Sequence, residues 1–353
     1  MMRRLLIGLG CLVGLVACGP IGGVEADDSA AGASSAGSGG SAAVTDPGLV
    51  AAGGARPANP HNRQALIWIW DNYRVAIATV LKNQNSVTHV SPAIYQMNYS
   101  YDSGVSRGVN ANGYYDGLNG AAMATALHTA GIKVVPLIYA GAGNNGVDDG
   151  IRNIATNPTT AQNFIDAHVQ EALTQGYDGW NLDWEVASAT NEQYSPGLIS
   201  FLTAFKAALN AHQMELSFDL GGWFVKQCTD SGGSGLVDLT TLGPAVDQAI
   251  IEDYSKTFGS VGLGSCPSTP PGEVDCGSFS DGLSVMCATT SNVVSIGLIT
   301  PDSNLFAPQA LDAIGSYGFK SVALWPDDSA FLNSTGIPNN QTWFDVFGGW
   351  LSQ

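Results

Sequence analysis

The chain has 353 residues and a formal net charge of −17, from 13 Lys+Arg against 30 Asp+Glu. Such acidity argues against nucleic acid or an anionic surface as partner; it suits a neutral or basic substrate, and equally keeps an exported protein dispersed. No Cys-x-x-Cys pair is present and no histidine stands at metal-ligand spacing, so neither a metal nor any other cofactor is expected.

In chain order, Met1-Met2-Arg3-Arg4 leads into an apolar run over residues 5–17. A basic start and a short apolar core predict a signal peptide over residues 1–17, too short to span a bilayer. The run closes on Leu15-Val16-Ala17-Cys18, which resembles a bacterial lipobox with Cys18 as the lipidated residue. The expectation is an exported protein, lipid-anchored at the cell surface or outer membrane and in part released, touching the membrane only through that anchor. Ordinary cleavage near Ala17 is the alternative. Residues 18–60 are rich in Gly, Ala and Ser and read as a flexible tether.

Residues 61–353 suit one α/β domain. Strand-like apolar runs fall at 65–70, 89–95, 133–139, 179–184, 215–220, 248–254, 293–299 and 321–325. Helical stretches at 120–130, 161–175, 196–212 and 307–317 lie between several of them, and a last helix covers 343–351. Gly131, Gly176 and Gly318 stand where a helix should stop before the next strand. Eight such repeats predict a single TIM (β/α)8 barrel, with its chemistry at the C-terminal ends of the strands. Cys228, Cys266, Cys276 and Cys287 form an even set in an oxidising compartment, which predicts two disulfides in any of three pairings.

The fourth run reads Tyr177-Asp178-Gly179-Trp180-Asn181-Leu182-Asp183-Trp184-Glu185. On a strand, Asn181, Asp183 and Glu185 share one face and Trp180, Leu182 and Trp184 the other. An amide and two carboxylates on the inner face of a core strand are costly unless used. Their Cα atoms lie about 7 Å apart for the carboxylate pair, pointing the same way. That suits a proton donor with a helper better than two carboxylates opposed across a sugar.

The spacing resembles the Asp-x-x-Asp-x-Asp-x-Glu signature of glycoside hydrolase family 18, here from Asp178 to Glu185, with Asn181 where most chitinases carry aspartate and chitobiase-like members carry asparagine. Gln248-Ala249-Ile250-Ile251-Glu252-Asp253-Tyr254 is similar to the family's sixth strand, and Val322-Ala323-Leu324-Trp325 to its eighth. The third strand, Ile138-Tyr139-Ala140-Gly141-Ala142-Gly143, departs from the usual Ser-x-Gly-Gly.

The resemblance implies retaining, substrate-assisted hydrolysis of β-1,4 bonds at N-acetylglucosamine in chitin or chito-oligosaccharides. Glu185 is then the acid, Asp183 the partner of the acetamido N–H, and Tyr254 a donor to the acetamido oxygen. Asn181 would hydrogen-bond Asp183 without adding charge, and Asp178 would be structural. Trp325 would floor the pocket; Glu252, facing the same way as Tyr254, would bind a sugar hydroxyl or support that tyrosine. Trp70 and Tyr95 are expected to stack on sugar, with Tyr139 and Trp223 as weaker candidates. Two other functions remain open: an endo-β-N-acetylglucosaminidase acting on N-glycan cores or peptidoglycan, and a non-catalytic chitin-binding lectin. A Gly-x-Ser-x-Gly match at residues 104–108 lies in a polar loop, without the strand and helix a nucleophile elbow requires.

Overall fold

The computed structural model describes residues 46, 48–54, 56–70, 72–96, 118–140, 145–184, 195–221, 225–226, 237–252, 264–268, 279–287, 293–299, 307–326 and 343–353. The signal peptide, Cys18, most of the tether, residues 104–108, Glu185, Trp223, Cys228, Tyr254 and Cys276 lie outside the described residues.

Among the described residues, ten strands form the sheet: β1 (Gln64–Ile69), β2 (His89–Pro92), β3 (Tyr95–Gln96), β4 (Lys133–Val134), β5 (Leu137–Ala140), β6 (Gly179–Trp184), β7 (Glu215–Gly221), β8 (Gln248–Glu252), β9 (Val294–Ile299) and β10 (Ser321–Trp325). The order is β3-β5-β6-β7-β8-β9-β10-β1-β2-β4, with every pairing parallel. β2 and β3 are halves of one barrel strand, as are β4 and β5. Pro136 interrupts the second because it has no N–H to donate, yet Val135 N donates to Val90 O and Asn181 N to Pro136 O across the break. The two ends of the order are therefore the same two strands, and the sheet closes into an eight-stranded barrel.

Helices fill the outer layer. Besides the five expected, the chain forms helices at Tyr73–Lys82, Asn145–Thr156, Leu239–Ala245 and Phe279–Met286. The fourth-strand crossover helix runs Pro158–Gln175, starting before residue 161 because Asn157 caps it by accepting from Thr159 N and Thr160 N, with Pro158 in its first turn. It stops at Gly176, φ 74.

One expectation needs revision. The packed unit begins before residue 61: Leu49 is buried, Asp46 pairs with Arg74, and Arg56 donates to Gly131 O and Val87 O. Gly and Ala composition hid these few anchoring side chains. Of the two expected disulfides, Cys266–Cys287 is formed, with Cα atoms 5.5 Å apart; Cys228 and Cys276 lie outside the described residues.

At the N-terminal face, Glu215 accepts from Lys133 Nζ at 2.8 Å and meets His89 Nε2 at 2.9 Å. Burial pushes the Glu215 carboxyl up, but His89 and Lys133 outweigh it and hold it at about 2. Behind β6, His168 is buried against Phe164, with ring centroids 3.9 Å apart, and burial lowers its pKa to about 4. Both groups take up protons more readily when unfolded, so each costs stability as pH falls. We expect stability to decline first from about pH 6.5 to about 4 through His168. The Glu215 contribution, present above about pH 4.5, is lost on falling towards about 2. Urea midpoints across pH 3–7 test this: His168→Leu should flatten the upper part of the decline and Glu215→Gln the lower, each leaving the other part unchanged.

Candidate active site at the C-terminal mouth of the barrel

β6 alternates as its sequence predicts. Trp180, Leu182 and Trp184 are fully buried on the helix side, where Trp184 stacks on Phe201 and Trp180 meets His168 edge-on. Asn181 and Asp183 point into the barrel, 0% and 5% exposed. Three residues before Asn181, Asp178 Oδ2 accepts from Val134 N at 2.7 Å and meets His128 Nε2 at 2.7 Å, the structural role expected of it. Gly179, φ 153, follows because β7 leaves no room for a side chain: a Cβ would lie 2.0 Å from Glu215 O.

Asp183 lies in register with Tyr139 on β5 and Asp219 on β7. Glu252 ends β8 one strand further round, in register with Gly221 and Gly297. All three acids are buried, at 5%, 1% and 5% exposure for Asp183, Asp219 and Glu252, and their carboxylate oxygens lie within 4.8 Å of one another. Asp219 is a site residue that sequence reasoning missed. Its signal was available: Glu215-Leu216-Ser217-Phe218-Asp219 alternates polar and apolar as the β6 motif does.

Asn181 connects this group to the barrel wall. Its Oδ1 accepts from Trp68 Nε1 at 2.8 Å and from Ser91 Oγ at 2.9 Å; its Nδ2 donates to Asp219 Oδ1 at 2.6 Å. The amide orientation follows from chemistry, because an indole N–H only donates and the atom facing it must be oxygen. The expected bond from Asn181 to Asp183 is corrected: among the described residues its amide is directed at Asp219. Trp68 Nε1 also reaches Asp219 Oδ2, at 3.2 Å. The three acids are spaced as a cation-binding set would be, with N–H groups of Asn181 and Trp68 also engaging Asp219; no metal is assigned to them.

Aromatic rings surround the mouth. Trp70 and Tyr139 meet edge-on at 4.8 Å, whereas the Trp70–Trp325 and Trp325–Trp68 pairs are tilted, at 5.5 Å and 6.0 Å. Trp70, Tyr139 and Trp325 are partly exposed, whereas Trp68 is buried beneath them. Trp68 was not singled out, although it sits two residues before Trp70 on the same strand face.

Tyr95 is the candidate that moves. It is 5% exposed on the helix side, edge-on to Trp180 at 4.8 Å, with its hydroxyl donating to Glu171 Oε1 and meeting that of Tyr177. Burial, with Tyr177 and Glu171 beside it, pushes this hydroxyl's pKa far up. The break after Pro92 upsets simple alternation along the strand, so Tyr95 belongs to the core rather than to a sugar site. Glu185 and Tyr254 follow β6 and β8 in the chain but lie outside the described residues.

No protein-family model matches the sequence, and no curated protein matches it. Solved structures do share the fold. A chitinase from Chromobacterium violaceum ATCC 12472 is similar at 13% identity and TM-score 0.59, over 82% of this chain and 99% of that one. The Bacillus cereus spore cortex-lytic enzyme SleL is similar at 14% identity and TM-score 0.57, over 81% and 74%. A chitinase-like agglutinin from Robinia pseudoacacia is similar at 12% identity and TM-score 0.58, over 81% and 99%. At such identities these likenesses establish the barrel fold, and they include catalytic and agglutinating proteins alike.

Proposed function

We propose that this chain is a retaining glycosidase of the family 18 type that cleaves β-1,4 bonds at N-acetylglucosamine in chitin or chito-oligosaccharides. The observation that carries the reading is the inward placement of Asp183 at the barrel mouth, two residues before Glu185 and in register with Tyr139, whose ring packs on Trp70 beside Trp325. Flat apolar faces above a polar floor match the two chemistries of a sugar ring.

Asp183, Asp219 and Glu252 occupy successive strands along one arc of the barrel wall, with oxygens within 4.8 Å. This favours a clustered set of carboxylates over a pair opposed across the anomeric carbon, as an enzyme nucleophile would require. The substrate supplies the nucleophile instead. Glu185 gives its proton to the leaving glycosidic oxygen while the 2-acetamido oxygen attacks the anomeric carbon. Asp183 accepts from the acetamido N–H and offsets the positive charge of the oxazolinium ion, and Tyr254 donates to the acetamido oxygen. Water then opens the ring, losing its proton to Glu185, and configuration is retained. Export and anchoring through Cys18 complete the proposal and place the enzyme where extracellular polysaccharide is met.

The test is a substrate panel: chitotetraose, its de-N-acetylated counterpart, a chitobiose-core glycopeptide and peptidoglycan fragments, with product anomers read by NMR. Cleavage of chitotetraose to a retained anomer, with none of the deacetylated oligomer, is the expected result. Turnover of the glycopeptide or peptidoglycan alone would keep the mechanism and change the substrate. Binding of chitotetraose without turnover of any member would sink the enzyme reading in favour of a lectin.

A further inference from the structure

The acid that Asn181 lacks has a counterpart one strand over. Asp219 is 1% exposed, receives the Asn181 Nδ2–H at 2.6 Å on one oxygen and the Trp68 Nε1–H at 3.2 Å on the other, and stands beside Asp183 in register. Two N–H groups, the Asn181 amide on one oxygen and the Trp68 indole, shared with Asn181 Oδ1, on the other, stabilise the carboxylate more than the neutral acid, because each bond is stronger to an ionised acceptor. The 2.6 Å contact is of charge-assisted length. Ser91 and Trp68 hold the Asn181 oxygen, so the amide cannot turn away.

We propose that Asp219 carries the fixed negative charge of this site and acts as a positioning residue that raises the pH at which Asp183 and Glu252 ionise. The proposal rests on the glycosidase reading only for its catalytic consequence. Among the described residues, Asp219 faces Asp183 and Asn181 on β6, Glu252 on β8 and Trp68 on β1, with Ser91 on β2 behind Asn181; Glu185 and Tyr254 follow β6 and β8 in sequence. With one anion fixed by donors, its acidic neighbours ionise last and titrate as a coupled pair. A charge within 4.8 Å, at an effective dielectric near 20, moves a neighbour's titration by about two pH units. The arrangement gives Asp183 an acidic neighbour in register on the next strand, held in place by the Asn181 amide.

The test compares the whole exported protein with Asp219→Asn, Asn181→Asp and the exchange Asn181→Asp/Asp219→Asn. Infrared titration of protonated carboxyl groups is read first, without substrate, followed by the pH profile of kcat/KM on chitotetraose. Asp219→Asn should lose its carboxyl protons at lower pH, with the alkaline limb of the profile moving down by one to two units. Asn181→Asp should retain protons to higher pH, and the exchange should return both readouts towards the original. Unchanged titration in Asp219→Asn overturns the proposal; if that variant does not fold, unchanged titration in Asn181→Asp does so. Infrared shifts without turnover of any glycan would sustain this inference and defeat the glycosidase reading, whereas turnover with immobile titrations would do the reverse.

Discussion

Glu185→Gln should lower kcat on chitotetraose by about 10²–10⁴-fold, or roughly 3–5 kcal/mol of barrier, with KM changing little. Glutamine keeps the shape and hydrogen-bonding reach of glutamate but has no transferable carboxyl proton, so ground-state binding survives and leaving-group protonation does not. The residue sits directly after Trp184, the last residue of β6. The four residues before it are ordered by burial on alternate faces, Leu182 and Trp184 against the helices and Asn181 and Asp183 towards the barrel axis. A substrate with a good phenolate leaving group needs little help from an acid, so the variant should lose far less on an aryl glycoside of N-acetylglucosamine than on chitotetraose. Equal losses on both substrates would remove Glu185 as the proton donor.

Gly179→Ala should be the most damaging single substitution for the fold. A Cβ there meets Glu215 O at 2.0 Å and Glu215 C and N at 2.8 Å, all backbone atoms of the paired strand β7. None can retreat without opening a central β6–β7 ladder, and the φ of 153 is itself foreign to alanine. We expect a loss beyond about 4 kcal/mol, seen as insoluble expression or a collapsed urea midpoint. Gly176→Ala is the control: its φ is 74 and nothing lies within 4 Å of the added carbon, so the cost should stay at about 1–2 kcal/mol. Comparable losses in the two variants would mean that strain, rather than the approach of β7, explains the glycine.

These two glycines mark different depths of legibility. Gly176 could be read from local chemistry, because a helix followed closely by a strand needs a left-handed stop. Gly179 stands in a recognisable motif, but the carbonyl it must avoid lies 36 positions on, at Glu215, and only strand pairing brings it near. The Cys266–Cys287 link was open for the same reason: cysteine count makes bridges expected, whereas the choice of partner is a matter of distance in space.

By itself the sequence determined the barrel's eight strand segments, the facing of Asn181 and Asp183 against Trp180 and Trp184, and the gathering of Trp70, Tyr139 and Trp325 at strand ends. Each of these follows from periodicity and from parallel strands aligning their ends. The tertiary structure alone decided that Tyr95 belongs to the helix layer, that Trp68 lies under the aromatic mouth, and that Asn181 turns its amide to Asp219. Those outcomes depend on contacts between strands far apart in the chain and on the break at Pro92, which local alternation does not register. A side chain's neighbours along a strand are written in the sequence, but its hydrogen-bond partners across a barrel exist only once the sheet has closed.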